Sequence, residues 1–247
     1  MAKTSSTKKQ KRTAPLQKPP GFAGFTAAAF EYLQALSQNN EREWFQDNKK
    51  TYHKAVRDPF IAFMEALSFR LEGSGLDLRG GKQTVFRIHR DVRFSKDKTP
   101  YKTHMGGVLS YGGTKKDQRG IVYVQFGVDG GFVAAGFYQP ESNVLTAMRE
   151  AIAQNPEAVL KLCQSLEKMG LPVQATATLK RMPRGFEDYK EHEISELLRM
   201  KGYIMRRDLS PELWQSPEIV EAVAQFSHDA YPWIAFGREA IATLETL

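Results

Sequence analysis

The chain has 247 residues and only one cysteine, Cys163. A lone thiol makes no internal disulfide and no multi-cysteine zinc site, so a reducing, cytoplasmic setting is expected. No stretch approaches the roughly 18 consecutive apolar residues of a membrane-spanning helix, and no apolar run follows the basic N-terminus as in a secretory leader. No membrane partner is expected. Phosphate-loop (G-x-x-x-x-G-K-S/T) and dinucleotide (G-x-G-x-x-G) turns are missing, and no cofactor is expected. His53, His89, His104, His192 and His228 show no metal-ligand spacing, and no metal is expected. Ser95-Lys96-Asp97-Lys98 matches S-x-x-K by letter, but in hydrolases that motif begins a helix, and Pro100 argues against one here. Asp188-Tyr189-Lys190 is too loose a tripeptide to carry weight.

Acid is missing from one place in particular. Residues 1–20 carry six Lys and Arg and no Asp or Glu, which leaves the rest close to neutral although the net charge is +7. That stretch holds only Leu16 as a large apolar residue after Met1, too little to order itself. Residues 1–20 are therefore expected to be a disordered basic tail, and 21–247 a single α+β domain. The tail reads either as a polyanion-seeking arm or, the favoured reading, as a solubilising leader. Deleting residues 1–18 is expected to leave the thermal midpoint unchanged; a clear fall would show that the tail packs on the body.

What is present within the body is charge polarity. Residues 79–119 hold eleven Lys and Arg against Asp91, Asp97 and Asp117, whereas 208–247 hold seven acids against Arg238. Either the middle is an anion site or the two regions dock on each other.

Hydrophobic spacing places helices first. One runs from a cap at Thr26 to Ser37, and a second starts at Asn40 with Glu43 in capping-box position. Pro59 interrupts or kinks this second helix, which resumes through Leu71. Alternation then predicts strands near 84–94, 105–111, 121–128 and 132–138, the last two joined at Asp129-Gly130-Gly131. Helices return at Val144–Gln154, from Asn155-Pro156 to about Met169, at 192–201, from Ser216-Pro217 to Ala230, and after Pro232. Residues 179–186 read as a loop. The fold class expected is α+β, a central antiparallel meander of about four or more strands flanked by N- and C-terminal helices.

The informative segment runs from Arg87 to His104. Strand parity puts Arg87, His89, Asp91 and Arg93 on one face and leaves Arg90 alone on an apolar one. An unpaired buried charge costs several kcal/mol, so Arg90 needs an acceptor. A structural ion pair with Asp58, Asp91 or Asp97 is favoured over a guanidinium fork held for a ligand. The hydroxyls and ammonium groups of the following loop suit phosphate oxygens.

Taken with Phe22-Ala23-Gly24-Phe25, Asn39-Asn40-Glu41-Arg42-Glu43-Trp44-Phe45, Gly136-Phe137-Tyr138-Gln139-Pro140 and Leu179-Lys180-Arg181-Met182-Pro183-Arg184-Gly185-Phe186, this segment resembles a conserved-hypothetical, domain-of-unknown-function family of bacteria with relatives in fungi. The resemblance covers nearly everything from Gly21 onward. It implies one domain and no particular reaction. The family pattern more often carries Tyr or Asn at the position of His89, which argues against His89 as a catalytic group.

The leading expectation is a basic cleft binding a small anionic or phosphorylated ligand. Arg87, Arg90, Arg93, Lys98, Lys102, Lys180 and Arg184 would hold the anion and Tyr101 would stack or hydrogen-bond. Asp91 and His104 are the acid/base candidates should the site perform chemistry. The alternative is a non-enzymatic nucleic-acid-binding module built from the tail and the basic loop. The cleft requires Arg90 and Arg184 to converge within a pocket's width, about 15 Å.

Overall fold

A computed structural model describes Pro19, residues 21–242 and Leu244. The expected disordered tail thus lies outside the described residues, Pro19 excepted. The fold is α+β: helices pack on one face of a five-stranded antiparallel sheet.

Helix α1 (Ala27–Gln38) buries Ala29, Tyr32, Leu33 and Leu36, the three-to-four spacing of one helical face. Helices α2 (Arg42–Asp47) and α3 (Lys49–Thr51) continue through a π-helical segment, Tyr52–Arg57, into α4 (Asp58–Arg70). Pro59 falls in the first turn of α4, where its missing N–H costs little. The capping box at Asn40 does not form. Glu41, not Asn40, is the residue before α2 and makes no side-chain cap, and the Asn40 amide is bound to the Tyr101 backbone instead.

Strands β1 (His104–Ser110), β2 (Ile121–Gly127) and β3 (Gly130–Phe137) form the expected meander. The β2–β3 hairpin turns one residue earlier than its glycines suggest: Gly127 pairs with Gly130, and Val128 and Asp129 are the loop. Gly130 sits at φ +92, where a Cβ would come within 2.3 Å of the Leu209 carbonyl oxygen.

The strand expected over 84–94 is not a ladder strand. It is one side of an irregular arm, touching β1 and its own return limb through isolated bridges, Val85 to Gly107 and His89 to Tyr101. Between these bridges one limb advances four residues and the other six, so a two-residue bulge breaks the ladder near Lys102 and Thr103. The parity holds as far as Arg90, with Ile88 buried and Arg90 half-buried while Arg87 and His89 are exposed, and is lost at Phe94, which is 96% exposed.

After β3 come α5 (Ser142–Gln154) and α6 (Pro156–Lys168), the latter capped by the Asn155 side chain as expected. A short strand β4 (Gln174–Ala175), a loop and α7 (Ser195–Arg199) lead into β5 (Tyr203–Leu209). The sequence does not read as a strand there, because Arg206-Arg207-Asp208 interrupts the alternation of Tyr203, Met205 and Leu209. The sheet order is β1-β2-β3-β5-β4. Arg149 of α5 donates to the carbonyls of Leu198 and Met200 at 2.8 and 3.0 Å, tying α5 to the C-terminal end of α7.

Helices α8 (Pro211–Trp214) and α9 (Glu218–Ala242) complete the chain. Pro232 does not break α9 into two helices as expected. The stripe Phe226, Ala230, Trp233, Ile234 and Gly237 is buried on both sides of it, and that burial outweighs the ~3 kcal/mol cost of an interior proline.

Core and open face follow from strand period. Met105, Leu109, Val122, Val124, Phe126, Val133, Ala135, Phe137, Tyr203 and Met205 are buried beneath the helices. The alternate residues form rows on the other face. One row is Val108, Tyr123, Ala134 and Arg206; the next is Gly106, Gln125, Phe132 and Asp208.

Candidate functional site

The alternate residues of β1, β2, β3 and β5 line a groove of about 540 Å³ on the open face, within the range of small-ligand sites. Ala134 and Gly136 form part of its floor. Gly106 lies beside it, where a Cβ would come within 2.6 Å of the Tyr123 hydroxyl and push that side chain aside. Phe86 and Lys102 of the arm border one side, and Lys115–Gln118 of the β1–β2 connector another.

The groove is cationic at its rim and aromatic in its walls. Lys102 and Lys115 both lie over the Phe86 ring, their ammonium groups 5.6 and 5.5 Å from its centroid. Among the described residues neither makes an ion pair. Burial, then the positive charges of Arg87 and Lys115, hold Lys102 below its ordinary pKa. Arg206 lies 3.9 Å over the Phe132 ring and donates to Asp208 at 2.8 Å. Tyr123 donates to Gln125 Oε1 at 2.9 Å, and burial, then Tyr138, pushes the phenol up to about 12.

Gln125, Phe132 and Arg206 also line an adjoining, wider depression that contains His104. Burial, then the Lys102 ammonium, lowers the His104 pKa, which favours the neutral imidazole.

The arm is fastened to the helices by the Asn40 amide. Asn40 donates to the Tyr101 carbonyl at 2.9 Å and accepts from the Tyr101 N–H at 3.0 Å. Phe45, from the same sequence motif, stacks on the Tyr101 ring with centroids 4.1 Å apart. Tyr101 is 3% exposed. It is a core residue that fixes the position of Lys102 and presents no face to a ligand.

The other expected site residues are elsewhere. Arg90 is engaged inside its own loop, by the Asp97 carboxylate and the Thr99 hydroxyl. Asp97 is held at about 2 by the Thr99 N–H, then by Arg90. Arg93 forks onto Asp91 at 3.0 and 2.7 Å and holds that carboxylate at about 2, so Asp91 is no proton donor near neutral pH. Lys98 donates to the Val92 carbonyl at 3.0 Å. Arg87 is exposed on the arm.

Lys180, Arg181 and Arg184 are exposed on the loop after β4, which is tied by Leu179 N–H to the Arg199 carbonyl. The arm flanks β1 and that loop follows β4, at opposite edges of the sheet. With neighbouring strands ~4.8 Å apart, four spacings put those edges about 19 Å apart. The arm that carries Arg90 and the loop that carries Arg184 therefore leave from opposite edges of the sheet.

Basic middle and acidic end do touch, but through a cation. Arg238 donates to the carbonyls of Arg119 and Leu76 at 3.0 and 3.1 Å. Glu221, Asp208 and Asp229 pair instead with Arg70, Arg206 and Arg207.

Of the expected residues, Lys102 lines the groove and His104 the adjoining depression. Sequence reasoning missed Phe86, Lys115, Lys116, Tyr123, Phe132 and Arg206 as site residues. Their signal was the outward half of the alternation in β2 and β3, where Tyr123, Gln125 and Phe132 stand at positions that face away from the helices.

A family model described as "Conserved hypothetical protein (DUF2461)" matches residues 28–236, and the chain belongs to that family. No curated protein and no solved structure matches the chain.

Proposed function

We propose that this DUF2461 member binds a small anionic, phosphate-bearing ligand in the groove on the open sheet face. The observation that supports this is the convergence of Lys102 and Lys115 on one ring from segments that precede and follow β1, with Lys116 beside them. Like charges repel, and the half-buried ammonium of Lys102 faces the exposed one of Lys115 with less water to screen it than two fully solvated groups would have. An anion between them offsets that cost and explains why a fold would hold them together. Arg206, already paired with Asp208, contributes a weaker field.

Titration of the full chain with inorganic phosphate, followed by calorimetry, tests the reading. The double substitution Lys102→Ala, Lys115→Ala is expected to weaken binding about tenfold. Lys102 has a lower pKa folded than unfolded, so the folded chain binds its proton less tightly and the charge opposes folding near neutral pH. The double variant should keep its thermal midpoint or raise it. Unchanged phosphate affinity in the variant would overturn the proposal.

A further inference from the structure

The aromatic lining of the groove asks more of a ligand than charge. We infer that the anion carries a planar nucleobase, so that the groove receives a nucleotide, free or within a single strand. This rests on the phosphate-binding reading above and adds the chemical class of the ligand.

Phe86, Tyr123, Phe132 and Tyr138 all line this face. Neighbouring rings there are tilted: Phe86 to Tyr123 is 6.2 Å at 57°, and Tyr123 to Phe132 is 5.7 Å at 50°. The groove rings therefore do not cover one another's faces. Tyr138 is 61% exposed directly after β3. A sugar phosphate offers no plane to lie on such rings, whereas every nucleobase does, and base–aromatic stacking is the usual currency of single-strand recognition on antiparallel sheets.

Polar groups complete the match. The Arg206 guanidinium stacked on Phe132 extends the platform, as arginine does beside bases. Tyr123 occupies Gln125 Oε1 and so orients that amide with its NH₂ free to donate to the acceptors of a base edge. Lys102 and Lys115 then stand at the rim for the phosphate. The shared residues Gln125, Phe132 and Arg206 connect this groove with the depression at His104, which gives a strand a path across the sheet.

The test compares ribose 5-phosphate, adenosine, AMP and a short oligoadenylate on the full chain. AMP is expected to bind at least about tenfold more tightly than ribose 5-phosphate. Tyr138→Ala should erode that advantage while leaving ribose 5-phosphate binding unchanged. Tyr138 is exposed enough for its loss to spare folding. Equal affinities for AMP and ribose 5-phosphate would overturn the nucleobase and leave the phosphate reading standing. Equal affinities for AMP and adenosine would instead overturn the phosphate reading. If the source is a strand, the oligoadenylate binds more tightly than AMP, with affinity falling as about the 0.7 power of salt per phosphate engaged; if it is a free nucleotide, the oligomer gains nothing over AMP.

Discussion

Trp214→Ala is expected to destabilise the chain by about 4 kcal/mol, the cost of deleting a fully buried large aromatic. Trp214 has no exposed surface, and its ring lies 5.3 Å from Phe63, 5.6 Å from Phe25 and 5.2 Å from Phe126. These neighbours come from α4, the segment before α1, and β2, so the cavity would be walled by elements that cannot all collapse into it. One term works the other way. Among the described residues the indole N–H is buried without a partner, and removing it recovers about 1 kcal/mol. Trp214→Phe should therefore cost much less than the alanine change, about 1–2 kcal/mol. Urea unfolding of both variants checks this, and a loss below about 1 kcal/mol for the alanine would show that the aromatic cluster repacks. Trp214 lies under the helix-covered face, so phosphate affinity of the folded fraction should be unaffected.

The parts of the fold legible in sequence were those specified by local periodicity. The α1 face, the Asn155-Pro156 cap and the β2–β3 hairpin each depend on residues within a few positions of one another. Two elements were illegible because distant partners decide them. β5 reads as charged, but Arg206 and Asp208 point to the open face, and Arg207, on the helix side, reaches Asp229 of α9 at 3.5 Å. Residues 84–94 alternate like a strand, yet the bulge in the return limb denies them a ladder. At Pro232 the local rule was sound and was overridden by tertiary burial.

The candidate site was legible in kind but not in place. Density of Lys and Arg between 79 and 119 pointed to a basic surface, and Lys102 and Lys115 belong to it. The densest part, Arg90 to Lys98, is largely self-neutralised by Asp91, Asp97 and a backbone carbonyl. Such short-range pairing depends on loop closure, which composition does not reveal. Counting charges thus favoured the loop, whereas Lys102 and Lys115, which make no ion pair among the described residues, sit where the sheet turns its aromatic side outward.

Asn40→Ala is expected to lower both stability and phosphate affinity, which separates it from a purely structural lesion. The Asn40 amide makes two hydrogen bonds to the Tyr101 backbone, one in each direction. Truncation leaves a buried or half-buried N–H and C=O unsatisfied and costs about 2 kcal/mol. The Tyr101 ring remains stacked on Phe45, so the arm stays attached but gains freedom at its backbone. Lys102 is the next residue, and its placement over Phe86 depends on that backbone. Loss of a fixed ammonium should weaken phosphate binding severalfold at temperatures where the variant is still folded. Asn40→Asp discriminates further. A carboxylate can accept from the Tyr101 N–H but cannot donate to the Tyr101 carbonyl, and its negative charge would sit near the Lys102 segment. It should recover part of the stability but not the phosphate affinity. Wild-type phosphate affinity in Asn40→Ala would show that the bulge alone holds Lys102 in place, and would remove the arm clamp from the account of the site.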